Sequence, residues 1–504
     1  MNDTLLTPKA GPREWIGLAV IALPCFVYAM DMTVLNLALP AISRELRPTA
    51  SQLLWIIDIY GFLVAGFLIT MGTLGDRIGR RKLLLIGAAA FAAASLVAAF
   101  SSSAEMLIAM RALLGVAGAT LAPSTMSLIR NMFHDEHQRQ FAIGVWIASF
   151  SLGAAIGPLV GGALLEFFWW GSVFLVAVPV MVLLLLVGPK LLPEYKDPNA
   201  GHIDLASVAL CLAAVLPTVY GFKLIAEHGF GAHAAWLVVG ATCGVFFVRR
   251  QNGLAYPLLD LSLFRSPAFS AAITAYGLSC LAMFGVFIFI SQYLQLVHNL
   301  SPLHAGIATV PGALGFVAGS MLAPRLARSV APAGILVWGL VAAAAGFGFI
   351  FFAGAQHGLA SLIVGNVVMS LGMAPVFTLG NEMIITAAPP ERAGAASAVA
   401  ETASEFCGAM GIALFGSLGT VIYRTTLADV LPPGLPAETA ATAATTLGAA
   451  IAVAQSLPPA TGEALLLGAT GAFNRVLQIN AVIGGAILLM ASVMAARILR
   501  RRAA

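Results

Sequence analysis

Charged side chains are scarce in this sequence. They make up 10% of its 504 residues, whereas 60% of the residues are hydrophobic and the mean hydropathy is +0.94. Soluble globular proteins carry roughly 25% charged residues, so this composition excludes a soluble domain. The net charge of +4 comes from basic residues scattered between apolar runs. It therefore gives no indication of nucleic-acid binding.

Cysteine and histidine are also few, and neither indicates a disulfide framework or a metal site. The five cysteines stand singly within or beside apolar runs, and the eight histidines lie in or next to the segments between those runs. Neither residue type shows the paired spacing of metal ligands. We expect the cysteines to be small core residues, and we expect no metal and no cofactor.

Long apolar runs dominate the sequence instead. About 20 consecutive apolar residues are enough to cross a bilayer as a helix. The first run is too long for the core of a signal peptide and counts as the first span. The sequence predicts an all-α polytopic membrane protein with fourteen spanning helices, at 15–38, 51–73, 83–101, 105–129, 141–165, 171–189, 204–225, 234–249, 268–296, 303–324, 333–353, 359–387, 394–423 and 475–498.

The distribution of lysine and arginine predicts the orientation. With both termini in the cytoplasm, twenty of the 26 basic residues fall on the cytoplasmic side, five fall outside and Arg111 lies within the membrane. Cytoplasmic segments of membrane proteins carry an excess of these residues, so the count favours this orientation. The five outer residues are Arg44, Arg47, Lys223, Arg424 and Arg475.

A weak internal repeat predicts two halves. Residues 323–328 repeat the register of residues 76–80, and both stretches join two predicted spans on the cytoplasmic side. Two six-helix bundles would place these stretches at equivalent positions. We predict an N-terminal six-helix bundle in 1–200, an inserted helix pair in 201–265 and a C-terminal six-helix bundle in 266–504.

One predicted outer segment, 425–474, is a long periplasmic loop rich in alanine, threonine and proline. It contains apolar stretches that are too short to span a bilayer. Two interpretations stay open for it. The segment is either a gate over the outer mouth or a passive amphipathic segment on the membrane or on the helix ends.

Two aspartates within predicted spans are candidates for function, because an ionised group at mid-membrane costs about 2.5 to 3.5 kcal/mol. Asp31 lies in the middle of the first span. It can attract a cation or exchange a proton, or it makes a structural hydrogen bond to a neighbouring helix. Asp58 lies between Trp55 and Tyr60. It suits an organic cation, through charge and cation–π attraction, or it is an interfacial residue.

Three glutamates and one arginine complete the charged candidates. Glu401 and Glu405 are four residues apart and share one face of a helix. Such a pair can exchange a proton for a cationic substrate, unless both carboxylates are solvated at the cytoplasmic end. Glu382 is a further candidate or an interfacial residue. Arg111 needs a carboxylate or backbone acceptors, and it either tunes the proton affinity of a neighbouring acid or snorkels to the outer surface.

Two glycine-containing segments add a structural signature. Residues 72–82, GTLGDRIGRRK, hold the densest charge cluster and are predicted as a short charged loop between two spans. Residues 153–162 place small side chains at helical spacing around Pro158. That spacing favours close helix packing, and the proline favours a bend.

These segments together resemble the major facilitator superfamily, and within it the fourteen-helix drug:proton antiporters. Residues 31–40 resemble the first-helix motif of that branch, and the likeness covers essentially the whole chain. It is closest to bacterial exporters of quaternary ammonium compounds, viologens and cationic dyes. The matching residues are Gly72, Asp76, Arg77, Gly79 and Arg80 in the signature cytoplasmic loop, Arg111, Gly115 and Ala119 in the fourth helix, and Gly153, Gly157, Pro158 and Gly161 in the fifth-helix antiporter motif.

The resemblance implies the major facilitator fold, two six-helix bundles plus two inserted helices, and roles for several residues. In such exporters, acids matching Asp31, Asp58 and Glu401 or Glu405 are implicated in protonation or cation recognition. The acid matching Asp76 is thought to stabilise the outward-open state through a helix N-terminus of the other half. The tenth span carries no acid, unlike that of some exporters of divalent cations, so a preference for dications stays open.

We therefore predict a proton-coupled antiporter of the bacterial inner membrane that confers antimicrobial resistance by exporting hydrophobic organic cations through alternating access. The expected partners are small organic cations and the lipid bilayer, without nucleic acid; the coupling ion is the proton, and the chain is expected to be a monomer. Aromatic side chains would hold the organic body of the substrate. The candidates are Phe26, Tyr28, Trp55, Tyr60, Trp146, Phe289 and Tyr293.

Alternative functions come from other classes. A metabolite carrier, for example for an amino acid or siderophore, would need more buried basic residues for an anion than Arg111 supplies. A non-transporting membrane sensor would need a soluble signalling domain, which the sequence does not indicate. No nucleophile–base pair or metal cluster supports an enzyme.

Overall fold

The computed structural model describes residues 10–196, 204–229, 231–254, 257, 259, 261–353, 358–388 and 393–500. In this part of the chain there are helices and no β-strand. A 3₁₀ turn, Leu261–Arg265, precedes the eleventh helix and a π-helical turn, Tyr293–Val297, follows it. The helices are α1 (Pro12–Leu46), α2 (Ala50–Ile78), α3 (Arg80–Ala99), α4 (Ala104–Gly118), α5 (Leu121–Met132), α6 (Glu136–Phe167), α7 (Ser172–Leu175), α8 (Ala177–Leu191), α9 (Leu205–His228), α10 (Ala234–Gly253), α11 (Pro267–Gln292), α12 (Pro302–Leu326), α13 (Pro332–Phe352), α14 (Gly358–Thr386), α15 (Ala393–Ala428), α16 (Ala437–Ala443), α17 (Leu447–Gln455) and α18 (Pro459–Arg500).

Each of the fourteen predicted spans coincides with a helix or with two consecutive helices. Thirteen helical segments of the described chain are long and apolar enough to cross a membrane. The helix at the remaining position, α10, carries Arg249, Arg250 and Gln251 in its last turns, and these polar residues lower its mean hydropathy. The count of fourteen spans therefore stays a prediction, as does the division into three domains. The predicted boundary at residues 200 and 201 and the extreme termini, predicted to be cytoplasmic, lie outside the described residues.

The helices pack in two groups. In the first, α1 packs against α6 and α8, and α3 packs against α4 and α8. In the second, α13 packs against α14 and α18, and α11 packs against α15 and α18. Contacts of α2 with α15, α6 with α12 and α1 with α11 join the groups. Because lipid removes the hydrophobic drive for helix association, close packing and polar contacts hold such bundles together.

Close contacts between the two groups lie toward one end of the bundle. Gln295 Nε2 donates to the Leu37 carbonyl at 3.0 Å. A Cβ added to Gly162 would lie 2.9 Å from Leu303 Cα. Leu37 and Gly162 are in the halves of their helices that the predicted topology places outside. The protein is therefore tightly packed at its predicted outer end.

The charged segment 72–82 is not a loop, and that prediction was wrong. Helix α2 continues to Ile78 and α3 begins at Arg80, so Gly79 alone breaks the helical path. Gly79 has φ of 114°, a conformation that side chains disfavour. Arg80 Nε donates to Asp76 Oδ1 at 2.7 Å, and Arg80 Nη1 donates to the Pro123 carbonyl at 3.3 Å. Asp76 thus binds within its own group of helices, unlike the contact that the resemblance implies for an outward-open state.

Two further residues of the predicted signature segment, Gly72 and Arg77, precede Gly79 on α2. Gly72 is half-buried next to Pro123, and Arg77 is exposed. Arg81 donates to the Leu192 carbonyl at 2.9 Å and also lies beside Glu194. The α2–α3 corner is therefore held to the end of α8 by hydrogen bonds that its backbone and arginines make.

The outer segment 425–474 is also more ordered than predicted. Helix α15 extends to Ala428, α16 and α17 form within the segment, and α18 begins at Pro459. Leu447 and Ala450 are buried because α17 packs against α18 and α1. The Tyr423 hydroxyl donates to the Ala443 carbonyl at 3.3 Å. The short apolar stretches thus cover helix ends, and a gating role for them stays a prediction.

The small residues of α6 form its contact surface with α1. A Cβ added to Gly157 would meet Thr33, and one added to Gly161 would lie 2.7 Å from Val34. A Cβ on Gly153 would overlap the Phe26 carbonyl oxygen. Pro158 lies on the same helix, and its carbonyl packs against Gly306 of α12. Helix α6 can therefore approach both α1 and α12 because these positions lack side chains.

We expect Gly153→Ala to destabilise the protein by about 1 to 3 kcal/mol, because the new methyl group forces α6 away from α1. Thermal unfolding of the purified protein in detergent measures the effect. Gly144→Ala, on the same helix, is the matched control, since a Cβ there meets nothing within 4 Å. That variant should be neutral or more stable. Equal melting temperatures for the two variants would contradict the packing role of Gly153.

Candidate functional site

A small cavity of about 40 Å³ lies between α1, α2, α4, α11 and α15. Its volume suits one or two water-sized molecules and is too small for a bulky organic ion. The polar residues that line it are Asn36, Asp58, Tyr60, Arg111, Ser404 and Glu405, and the apolar ones include Met32, Leu35, Ile57, Phe284, Phe287 and Ile412.

Asp31 and Arg111 form a buried ion pair between α1 and α4. Arg111 Nη1 donates to Asp31 Oδ2 at 2.6 Å, and Nε donates to the Ile56 carbonyl at 3.1 Å. The guanidinium also lies 4.3 Å from the centre of the Tyr60 ring. Arg111 is buried rather than directed to the surface. The guanidinium therefore has the carboxylate and backbone acceptors that the sequence requires of a buried arginine.

Glu405 links α15 to α1. The Tyr28 hydroxyl donates to Glu405 Oε1 at 3.0 Å. The rings of Tyr28 and Tyr60 are 6.0 Å apart, and Phe150 meets Tyr28 edge to face at 5.7 Å. The rings of Tyr28 and Tyr60 therefore lie between the carboxyl of Glu405, in the second group of helices, and the guanidinium of Arg111, in the first.

Several polar atoms of the cavity residues have no hydrogen-bond partner in the described chain. They are buried oxygen atoms: Asn36 Oδ1, Asp58 Oδ1, Tyr60 Oη and Glu405 Oε2. A buried polar atom without a partner is costly, so such atoms in native proteins are typically satisfied by water, by an ion or by a ligand. Four acceptor-capable oxygens around one small cavity indicate a site for a proton donor or a cation.

Asp58 pairs with a residue that the sequence analysis placed elsewhere. Lys223 Nζ of α9 lies 2.8 Å from Asp58 Oδ2, and both side chains are 0% exposed. The same ammonium lies 4.0 Å from the centre of the Trp55 ring. The assignment of Lys223 to the outer surface was therefore wrong, and Asp58 is not an interfacial residue. Lys223 falls inside the predicted span 204–225, and its position there was a signal of a buried charge.

A second ion pair lies at the N-terminal end of α9, just before the apolar segment Leu205–Ile225. Arg250 of α10 donates to both oxygens of Asp204, at 2.8 and 3.0 Å. Asp204 also caps α9 by accepting from the Ser207 backbone N–H at 3.2 Å. The hydrogen bonds from Arg250 lower the pKa of Asp204 to about 2. The carboxylate therefore stays ionised at physiological pH and ties α9 to α10.

The remaining predicted residues lie away from the cavity lining. Glu401 is half-buried on α15 and Glu382 is exposed on α14. Trp146 donates to Thr125 Oγ1 at 2.9 Å. Phe289 packs against Phe473 of α18, and the Tyr293 hydroxyl donates to the Ala353 carbonyl at 2.9 Å, so both belong to the packing of the second group. The other predicted aromatic, Phe26, is half-buried on α1.

Most of the residues that line the cavity were not among the predicted site residues. Phe284 and Phe287 face the cavity from α11, Ser404 does so from α15 and Asn36 from α1. Asn36 belongs to the first-helix motif, and Ser404 directly precedes Glu405, so both stood beside predicted residues. Within the described residues, no group of three or more histidine, cysteine, aspartate or glutamate side chains could hold a metal ion.

Comparisons with known proteins extend over most of the chain. The family model described as Major Facilitator Superfamily matches residues 21–412. A protein of Mycolicibacterium smegmatis named multidrug efflux pump LfrA is 46% identical over 502 residues, covering 99% of each chain. The methyl viologen resistance protein SmvA of Salmonella typhimurium is 35% identical over 492 residues, covering 95% of this chain and 97% of that protein.

Solved structures share the fold at low sequence identity. A bacterial homologue of the human lysosomal transporter Spinster, in an inward-facing and unoccupied conformation, superposes with a TM-score of 0.66. The two sequences are 17% identical, and the match covers 97% of this chain and 99% of that one. A likeness at this level of identity concerns the fold alone.

We expect Asp31 and Arg111 to be coupled in their effects on stability. Arg111→Gln leaves a buried carboxylate without its cation, and Asp31→Asn leaves the guanidinium without its counterion, so each single variant should be strongly destabilised. The double variant should recover about 1 to 3 kcal/mol relative to the sum. Melting temperatures of the four proteins in detergent test this. Additive effects would mean that the pair does not act as a unit.

Proposed function

Because the chain belongs to the Major Facilitator Superfamily, we propose that it exports hydrophobic organic cations from the bacterial cytoplasm in exchange for protons. The chain is a multi-pass transporter of the bacterial inner membrane and not an enzyme. Its likeness to a multidrug efflux pump and to a methyl viologen resistance protein supports export of drug-like molecules. The residues of the central site support the cationic substrate and the proton.

One observation carries this proposal: acids outnumber bases around the central cavity. Asp58, Glu405 and Arg111 line the cavity, and the ion pairs add the acid Asp31 beside Arg111 and the base Lys223 beside Asp58, which makes three acids and two bases. Each base already has a carboxylate partner within 2.8 Å. The carboxyl of Glu405 is left with a neutral tyrosine as its partner. The site therefore has spare capacity for a positive charge and none for a negative one.

Glu405 is the proposed group that carries the proton. Its carboxyl lines the cavity and accepts a hydrogen bond from Tyr28 of the other group of helices, and its second oxygen has no hydrogen-bond partner among the described residues. Protonation would neutralise the site, and a cation would favour the ionised carboxylate. A proton and an organic cation therefore compete for the same negative charge, which is the basis of exchange.

The aromatic residues supply contacts for the organic body of the substrate. Tyr28, Tyr60 and Phe284 surround or adjoin the cavity. Since the cavity volume is about 40 Å³, a bulky cation requires the two groups of helices to separate around it. The tight packing at the predicted outer end would keep that side closed while substrate enters from the other. Alternating access would follow from rocking of one group against the other.

A metabolite carrier is supported less well by this site. An anionic metabolite needs a free basic group, and both cavity bases hold a carboxylate.

Export of an organic cation in exchange for one proton moves no net charge, so a pH gradient would drive it without help from the membrane potential.

The direct test is proton release on substrate binding. A monovalent quaternary ammonium dye added to the purified protein in weakly buffered detergent solution should release protons. Glu405→Gln should bind the dye with little or no release, because it removes the titrating group. A pH indicator or stopped-flow pH measurement follows the release, and dye fluorescence follows the binding in the same sample.

Glu382→Gln is the matched control, since it changes a glutamate that is exposed and lies outside the cavity. This variant should release protons like the wild type. Dye binding without proton release in the wild type would rule out direct competition at the site. Unchanged release from Glu405→Gln would assign the proton to another acid.

A further inference from the structure

Lys223 is an unusual residue for its position. It lies in an apolar helix, α9, within a predicted membrane span, where ionised side chains are rare because burying their charge is costly. Its side chain is completely buried against α2 rather than extended to a surface. A charged side chain buried in this way is by default a candidate for a functional role, and its partner here is Asp58.

Holding α9 in place does not require this lysine. Val219 of α9 packs in an apolar cluster with Phe62 of α2 and Ala409 of α15. At its base, α9 is tied to α10 through Asp204 and Arg250. Replacing a buried ion pair by apolar residues is often neutral or stabilising in proteins. The Lys223–Asp58 pair therefore needs a reason other than stability.

The surroundings of the ammonium are those of a bound organic cation. It lies 2.8 Å from a carboxylate oxygen of Asp58 and 4.0 Å from the centre of the Trp55 ring. A carboxylate attracts a cation through its charge, and the indole of Trp is the aromatic ring that gives the strongest cation–π attraction. Asp58 also lines the central cavity, and its other oxygen, Oδ1, has no hydrogen-bond partner in the described chain. One carboxylate thus faces both the lysine and the cavity.

We propose that Lys223 is a tethered cation that occupies a substrate subsite formed by Asp58 and Trp55. A transported monovalent organic cation displaces the ammonium from this subsite, and the ammonium returns when the substrate leaves. The inference rests on the proposed function. It assigns to α9 a direct part in substrate binding and release.

This arrangement keeps Asp58 neutralised throughout a transport cycle, because one monovalent cation replaces another. The return of the lysine also favours release of the substrate. Aromatic rings extend from the subsite toward the surface of α9 and α10. The ring of Tyr220 lies 6.4 Å from that of Trp55 and 5.3 Å from that of Trp236, and both Tyr220 and Trp236 are exposed. The flexible lysine stem can follow these rings toward the surface.

The test compares binding of a cation with binding of an uncharged molecule of similar shape. Tetraphenylphosphonium and triphenylphosphine oxide serve as the two probes, and calorimetry in detergent measures both affinities. The proteins are wild type, Lys223→Met, Lys223→Arg and the double variant Asp58→Asn/Lys223→Met. Lys190→Met, at an exposed lysine at the end of α8, is the matched control.

Lys223→Met should bind tetraphenylphosphonium at least about tenfold more tightly than wild type, because the substrate no longer competes with an occupant of the site. Its affinity for triphenylphosphine oxide should stay unchanged. Lys223→Arg should behave like wild type, since it supplies another tethered cation, and so should Lys190→Met. The double variant buries no charge at this position and should lose the preference for the cation.

Three results would overturn the inference. Equal affinity of wild type and Lys223→Met for tetraphenylphosphonium would leave the proposed function standing and remove the role of Lys223. A parallel change for both probes would make Lys223 a structural residue. If Lys223→Met does not fold, the double variant decides. A preference of the double variant for tetraphenylphosphonium over triphenylphosphine oxide as large as that of the wild type would contradict the subsite. Failure of every protein to bind the cation would instead overturn the proposed function itself.

Discussion

An ionised side chain cannot be left unpaired in an apolar interior, and this constraint organises the centre of the molecule. Asp31 is paired with Arg111, Asp58 is paired with Lys223, and Glu405 accepts a hydrogen bond from Tyr28. These contacts join α1 to α4, α2 to α9 and α1 to α15. The groups suited to bind protons and cations are therefore also cross-links between helices. Binding at any of them must alter a contact between two helices.

Much of the fold follows from the sequence because an apolar run of spanning length must satisfy its backbone hydrogen bonds within the membrane, and a helix does so. The predictions were wrong in two segments between the spans, 72–82 and 425–474, where features other than a long apolar run determine the helices. The segment 72–82 has the composition of a loop, yet a single glycine with positive φ makes the turn and the rest stays helical. In 425–474, the short alanine-rich stretches could not span a bilayer, but alanine favours helix, and α17 is buried against α1 and α18 while α16 packs on α17.

The site was predictable to the extent that its chemistry is local. A buried arginine requires acceptors, and the sequence named Arg111 and Asp31 as candidates without connecting them. The partner of Asp58 was missed because Lys223 lies near the end of its span, where a long side chain can point either to the surface or inward. Phe289 shares α11 with Phe284 and Phe287, and Tyr293 begins the π-helical turn that follows α11, but Phe289 and Tyr293 contact the helices of the second group. Which face of a helix meets the cavity depends on packing partners that are distant in the sequence.

The length of α18 has a mechanical consequence. An uninterrupted helix of 42 residues is about 63 Å long, roughly twice the thickness of the hydrocarbon core of a bilayer. It packs against α11, α13 and α15 and also against α17. Such a helix tilts as one rigid rod about the part of it that lies in the membrane. A small tilt at the level of the bundle becomes a larger sideways displacement of α17, so movements of the second group would be amplified on the outer face.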